Sequence, residues 1–204
     1  MQVVCFRNNP FSVQKYIKKR RNVRNSLHFA KFVTHLNVMA RTAKIEKTNA
    51  ARLLDRAGIA YELIPYTVDE NDLAATHVAA ELGEDIATVF KTLVLRGDRT
   101  GHFACVVPGD CEVDLKAAAR VSGNKKCDLI PMKELLPVTG YIRGGCSPIG
   151  MRKPFPTFIH VSCNDHPYIY ISAGVRGLQI RIAPADLLRF TGAATAELCH
   201  TDGE

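Results

Sequence analysis

Val89-Phe90-Lys91-Thr92-Leu93-Val94-Leu95, then Gly97-Asp98-Arg99-Thr100-Gly101, then His102-Phe103-Ala104-Cys105-Val106-Val107 is the stretch that decides the fold. Two apolar, β-prone runs separated by a Gly/Asp-bounded turn predict a β-hairpin. Upstream, a short helical stretch is expected around Ile86. Asp72 can cap a helix through Val78 to Leu82, ended by Gly83. Residues 59–66 read as a strand in which Ile59, Tyr61 and Leu63 alternate. Before it, Thr48 is a good N-cap for a helix over 50–57, with Leu53, Leu54 and Ala57 on its apolar side and Gly58 as its stop.

Downstream, Asp114 caps a helix over 115–121 that Gly123 ends. Further strands are expected at 126–130, 140–143, 157–161, 168–172 and 178–182. Pro184 suits the first turn of a last helix over 185–190. Helices interspersed among short strands give an α/β fold: one domain with a mixed, largely antiparallel sheet and surrounding helices.

Composition bounds the function. The net charge of +7 suggests nucleic acid, but its distribution limits that inference. Residues 1–38 carry eight Lys or Arg and no acid, and the remainder holds 19 basic against 20 acidic residues. The chain therefore divides into a basic segment, 1–38, expected to be disordered in isolation, and a nearly neutral body, 39–204. The segment reads first as an over-extended start, with Met39 as the true one. The competing readings are a transit peptide and an RNA-binding arm. The seven cysteines show no C-x-x-C spacing, which speaks against a disulfide framework and a ribbon-type zinc site and for a reducing compartment. No apolar run approaches the roughly 18 residues of a membrane span.

Four places could carry chemistry. Lys91 sits inside an apolar strand, where a lysine is costly unless paired or used; it either snorkels to water from a strand edge or fixes a cation at the floor of a pocket. In Gly144-Gly145-Cys146-Ser147-Pro148-Ile149-Gly150 the paired glycines let backbone approach a ligand, or they make a plain turn. Ser147 lacks the G-x-S-x-G spacing of a nucleophile elbow, because Gly150 comes three residues after it. The loop Ser172 to Gln179 is glycine-rich without a P-loop's length or lysine, and its Arg176 could meet a phosphate or a terminal ribose. Finally, His160, Cys163 and His166 invite a metal reading, but their spacing fits none of the usual zinc sites and a polar loop is the better account. His77 and His102 have no obvious partner. No Ser–His–Asp or Cys–His assembly can be drawn, and no metal and no cofactor are expected.

Taken in order, these pieces resemble the YbaK family of aminoacyl-tRNA deacylases, from about Thr48 to about Phe190. The resemblance is carried by Thr48-Asn-Ala-Ala-Arg-Leu-Leu54, Tyr66, Val89-Phe-Lys91-Thr92-Leu93, Asp114-Leu-Lys116, the run from Gly140 to Gly150, Pro156-Thr157 and Gly174-Val-Arg-Gly177-Leu178. Such proteins are similar to the editing domain of bacterial prolyl-tRNA synthetases. The resemblance implies clearance of mischarged tRNA in trans, with cysteinyl-tRNA(Pro) as the expected substrate. It implies Lys91 and Gly144 as catalytic positions, and Tyr66, Thr92, Gly145, Ser147, Arg176 and Gln179 as substrate-binding ones. Gln179 stands where some members carry Asp, which removes a carboxylate from the substrate's amino group, and Leu73 lies near where some carry an aromatic residue.

The absence of a protein nucleophile then has a chemical meaning. A cysteinyl ester carries its own thiol, and holding that thiol against its own carbonyl makes the reaction an oriented intramolecular step. For other amino acids a bound water or the terminal ribose hydroxyl would serve. The partners implied are the aminoacylated 3′ end of tRNA and a prolyl-tRNA synthetase; the location implied is cytoplasmic. Two alternatives stay open: a non-catalytic tRNA- or synthetase-binding module on the same fold, and a deacylase for another amino acid such as alanine.

Overall fold

A computed structural model describes residues 45–200; the basic segment 1–38 lies outside them. The elements run α1 (Asn49–Arg56), β1 (Glu62–Pro65), α2 (Ala75–Leu82), a 3₁₀ turn (Ile86–Thr88), β2 (Phe90–Gly97), β3 (Gly101–Pro108), α3 (Leu115–Val121), β4 (Cys127–Leu129) and α4 (Met132–Thr139). They continue with β5 (Thr157–His160), a second 3₁₀ turn (Val161–Asp165), β6 (Ile169–Ser172), β7 (Leu178–Ile182), α5 (Pro184–Thr191) and β8 (Ala194–Ala196).

The predicted hairpin is present and pairs from Phe90↔Pro108 to Gly97↔Gly101. Its turn is held by a residue 25 positions away: Asn124 accepts from the N–H groups of Arg99 and Thr100, each at 2.9 Å. Gly97 is obligatory here, because a Cβ would lie 2.2 Å from the Asn124 side chain. Around the hairpin grows a five-stranded sheet, β4-β2-β3-β5-β8, and beside it lies a three-stranded sheet, β1-β7-β6. The neighbours of β2 and all pairs of the smaller sheet are antiparallel, whereas β3–β5 and β5–β8 are parallel. A parallel bridge between Val89 and Tyr170 ties the start of β2 to β6.

β3 explains the core. Successive strand residues point to opposite faces, and here both faces are covered. Phe103, Cys105 and Val107 pack with Ala118 and Ala119 of α3 and with Leu198. Val106 belongs to the other core, with Leu54, Ile149, Ile159, Ile180 and Leu187. A strand buried on both faces reads as one continuous apolar run. Phe103 is fully buried, and burying a side chain of that size contributes about 1.5–3 kcal/mol.

Thr48 caps α1 through a 3.2 Å bond from Ala51 N, and Asp114 caps α3 through bonds from Lys116 N and Ala117 N at 2.7 and 3.1 Å. Four expectations need correction. The buried side of α1 is Ala50, Ala51 and Leu54, while Ala57 is exposed at the helix end. Asp72 does not cap α2 directly: its carboxylate accepts from Ala74 N in a turn before the helix, and Ala74 is the N-cap. The strand expected at 59–66 starts only at Glu62. The strand expected at 140–143 is not formed. Gly140 is left-handed at φ 85° and ends α4, Tyr141 N is taken by Thr139 Oγ1, and Gly145 N by Ile142 O, so the segment turns instead of pairing. Helix α4, with Pro137 inside it, is an element that the sequence reading does not include. Among the described residues no helix is long and apolar enough to cross a membrane.

Candidate active site

Lys91 is half-buried in β2, and its Nζ donates to the carbonyl of Gly109 at 2.9 Å. That carbonyl follows directly from the end of β3, and its residue is fixed in turn by a 2.7 Å bond from Gly109 N to Val89 O. Gly109 has no room for a side chain: a Cβ would sit 2.7 Å from Ala75 Cβ and 2.8 Å from Ile86 Cδ1. Strand, turn and α2 thus pack closely around the lysine.

Lys91 and Gly109 line a cleft of about 390 Å³. Its walls come from five places in the chain besides Gly109: Leu73 to Val78, Val89 with the first half of β2 to Val94, Leu129 to Leu135, the segment Arg143–Cys146, and Ser172 with Gln179. Lys91 and Arg143 bring positive charge, and no carboxylate lines the cleft. Two buried polar atoms at this site have no hydrogen-bond partner: Thr92 Oγ1 and Gln179 Oε1, the latter on a residue only 5% exposed. A buried, unsatisfied polar group costs about 1–3 kcal/mol. Two of them on one cleft mark a surface suited to a polar ligand.

Four of the sequence-predicted site residues therefore meet in the cleft: Lys91, Thr92, Gly144 and Gln179. Gly144 is left-handed at φ 80°, and a Cβ there would come within 3.3 Å of Arg176 Nε and 3.4 Å of Leu73 Cδ2. Of the paired glycines it is Gly144 that reaches the cleft; Gly145 is buried and gives its N–H to Ile142 O at 3.0 Å.

The other predicted residues stand behind the walls. Tyr66 packs against the cluster of Val78, Ala79, Val89 and Tyr170 and does not line the cleft. Arg176 acts as a brace: its Nε donates to Arg143 O at 2.9 Å and its guanidinium pairs with Glu70, which holds the Arg143–Gly144 backbone in place. Ser147 is fully buried, and its hydroxyl accepts from Ile149 N at 3.2 Å. Cys146 does line the cleft, but burial pushes its thiol up to about 12. Since the thiolate is the nucleophile, neither side chain is activated for attack.

Sequence reasoning names Ser172 only as the start of the glycine-rich loop, and it passes over Gly109 and Arg143 as site residues. Only Gly109 left a signal, the Pro108-Gly109-Asp110 turn after an apolar strand. The His160 loop is a local structure: His160 Nδ1 meets Ser162 Oγ at 2.8 Å and its Nε2 faces Glu197 at 3.3 Å. Among the described residues no group of three His, Cys, Asp or Glu is placed to hold a metal ion, and the six described cysteines are free.

Comparison with known proteins places the chain in a family and matches its fold to solved structures. The family model for the aminoacyl-tRNA editing domain matches residues 70–190, which carry the whole cleft. The protein of Enterococcus faecalis named "Putative Cys-tRNA(Pro)/Cys-tRNA(Cys) deacylase EbsC" is 43% identical over 160 residues, covering 78% of this chain and 98% of its own. The uncharacterized protein YwhH of Bacillus subtilis is 28% identical over 123 residues, 60% of this chain and 78% of its own. A solved structure described as "a putative trans-editing enzyme for prolyl tRNA synthetase" has the same fold, with a TM-score of 0.66 at 24% identity over 76% of this chain and all of the other. The chain belongs to the aminoacyl-tRNA editing domain family, and as an enzyme it is an aminoacyl-tRNA deacylase.

Proposed function

We propose that the cleft takes the aminoacylated 3′ end of a tRNA and hydrolyses its ester in trans, with cysteinyl-tRNA(Pro) as the substrate. The observation that carries this reading is a cleft with two cations and two unpartnered polar atoms but no activated protein nucleophile. Such a site suits a substrate that supplies its own. The substrate thiol attacks its own carbonyl, a carbon–sulfur bond forms, and the bond to the terminal ribose oxygen breaks. The thiol proton goes to that oxygen, and water then opens the small cyclic thioester to free cysteine. The protein contributes orientation and stabilisation of the developing negative oxygen. In this reading Lys91 and the Gly144 backbone face the ester. Thr92 and Gln179 bond the polar groups of the amino acid, and the Gln179 oxygen serves the amino group where no carboxylate is at hand. Tyr66, Gly145, Ser147 and Arg176 act from behind by shaping the wall.

The proposed partner is the charged tRNA and the proposed place of action the cytoplasm. A prolyl-tRNA synthetase is the proposed second partner, since the nearly neutral body from residue 39 onward carries no net positive charge toward phosphates. The test is release of amino acid from cysteinyl-, alanyl- and prolyl-tRNA(Pro) at equal concentration. Fast release of cysteine alone supports the reading, fast release of alanine reassigns the substrate, and no release from any of them leaves the module reading in its place.

A further inference from the structure

The cleft does not end at the ester-facing residues. Along β2 it runs on toward an apolar shelf that the chemistry above does not use. Leu129 ends β4 and pairs with Leu95 of β2, and Ile130 N bonds Val94 O at 3.1 Å. Leu129 and Met132 line the cleft and are 50% and 58% exposed, and Leu136 beside them is 48% exposed. Met132 and Leu136 are four residues apart on α4, so they share one face. Arg96 of β2 pairs with Glu134 and fixes the helix to the strand. Large apolar side chains this exposed and this close together mark a binding surface.

We infer that this shelf, Leu129, Met132 and Leu136, receives the terminal purine of the tRNA, with Arg143 meeting its 5′ phosphate. The inference rests on the proposed function and deepens it, by naming what the rest of the cleft recognises. Three observations select this occupant. The shelf is continuous with the cleft. Its place beside Val94 and Leu95 puts it three to four residues along β2 from Lys91, about 10–13 Å at the rise of a strand, which is the reach from an acyl carbonyl across one ribose to the far side of its base. The exposed Arg143 has no ion-pair partner among the described residues and lines the same cleft. A flat base suits such a surface, since a thioether makes favourable contacts with aromatic rings.

The test is a double-mutant cycle in equilibrium binding, which needs no turnover. An acceptor-stem microhelix ending in adenosine is compared with one ending in an abasic ribose, on the wild-type protein and on Leu129→Ala/Met132→Ala. Both substitutions are on exposed side chains, and circular dichroism checks the fold. Removing the base is expected to weaken binding by the wild type about tenfold, or about 1.4 kcal/mol, and binding by the variant by less than twofold. Equal losses on both proteins overturn the inference. So does a variant that leaves both affinities unchanged while altering the sedimentation of the free protein, because the shelf would then be a protein contact. Arg143→Gln should weaken both microhelices alike and flatten the salt dependence. Turnover is measured separately: a sound binding cycle without deacylation sinks the proposed function and leaves the shelf standing.

Discussion

Lys91→Met removes the charge of the cleft lysine while keeping an unbranched apolar stem of similar length. In the fold, Lys91 Nζ makes one bond, to Gly109 O at 2.9 Å, and no carboxylate lines the cleft to balance it. The lost bond involves a charged donor and is worth about 1.5–3 kcal/mol. Against it stands relief of the cost of holding an ammonium in a half-buried site without a counter-ion, which is of similar size. Stability should therefore change by less than about 1 kcal/mol. Activity should fall much further. If the ammonium contacts the ester mainly in the transition state, losing 1.5–3 kcal/mol lowers the rate roughly ten- to a hundredfold. Lys91→Arg should recover little, since the planar fork does not replace a compact charge beside the crowded Gly109 turn. The assay is single-turnover release of cysteine from cysteinyl-tRNA(Pro) under saturating enzyme, with thermal melting followed by circular dichroism. A rate for Lys91→Met within twofold of wild type, in a protein that melts normally, would refute the assignment and return Lys91 to a lysine that merely snorkels from its strand.

Cys146→Ala should keep most of its activity, because burial holds the thiol protonated to about pH 12; a loss of several orders of magnitude in a folded protein would mean covalent catalysis. Ser147→Ala should cost about 1–3 kcal/mol of stability, because it leaves the buried Ile149 N–H without its partner, with the rate per folded molecule unchanged in single turnover. Gly144→Ala forces a side chain into the left-handed region and against Arg176 and Leu73, costing about 1–2 kcal/mol of backbone strain; a variant with wild-type KM and kcat would show that this backbone does not shape the site. Asp114→Ala should lower stability by about 0.5–2 kcal/mol at pH 7. The bond from Ala117 N, ahead of the one from Lys116 N, holds the Asp114 carboxyl below its usual range. That stability is therefore fully present above the unfolded value of about 3.9 and is lost as pH falls through the lower folded value. The gap between the two proteins in denaturant melts should narrow as pH falls below the unfolded value of about 3.9, and a constant gap would show that the ionised cap is not the cause.

What could be read from the sequence was local in origin. The hairpin, the Thr48 and Asp114 caps and the stop at Gly83 each depend on residues within a few positions of one another. What was missed has more than one physical cause. Asn124 locks a turn 25 positions upstream of it, and no local pattern reports a bond of that range. The segment 140–143 has the composition of a strand, but Thr139 Oγ1 and the left-handed Gly140 take its first residues into a turn. Helix α4 has Pro137 inside it, which removes one bond of its ladder and weakens the local helical pattern. For the site, the residue types of Lys91, Thr92, Gly144 and Gln179 were legible. That Tyr66 and Arg176 stand behind the wall, and that Arg143 lines it, depends on how β7, the Arg176 loop and α2 meet.

The arrangement also bears on why this cleft would act on some esters and spare others. Nothing in it activates a side chain: Ser147 is spent on the Ile149 N–H, Cys146 is held as a thiol, and His160 is engaged by Ser162 and Glu197 and does not line the cleft. A site of this kind lowers a barrier only by holding what the substrate brings, so selectivity need not come from the size of a pocket. Prolyl and cysteinyl esters differ little in volume, and a pocket difference of one methylene yields only about 1–3 kcal/mol of discrimination. An intramolecular nucleophile yields more, since effective molarities in well-oriented systems correspond to about 7–11 kcal/mol, and proline has no thiol to supply it. The discrimination would then be chemical, and the protein could hold either ester at Lys91 and Gly144 without destroying the correct one. The consequence is measurable: prolyl-tRNA(Pro) should inhibit cysteine release competitively, with an inhibition constant near the KM for cysteinyl-tRNA(Pro), while its own ester stays intact. Exclusion of prolyl-tRNA from the cleft would instead mean that fit, and not the substrate's thiol, decides.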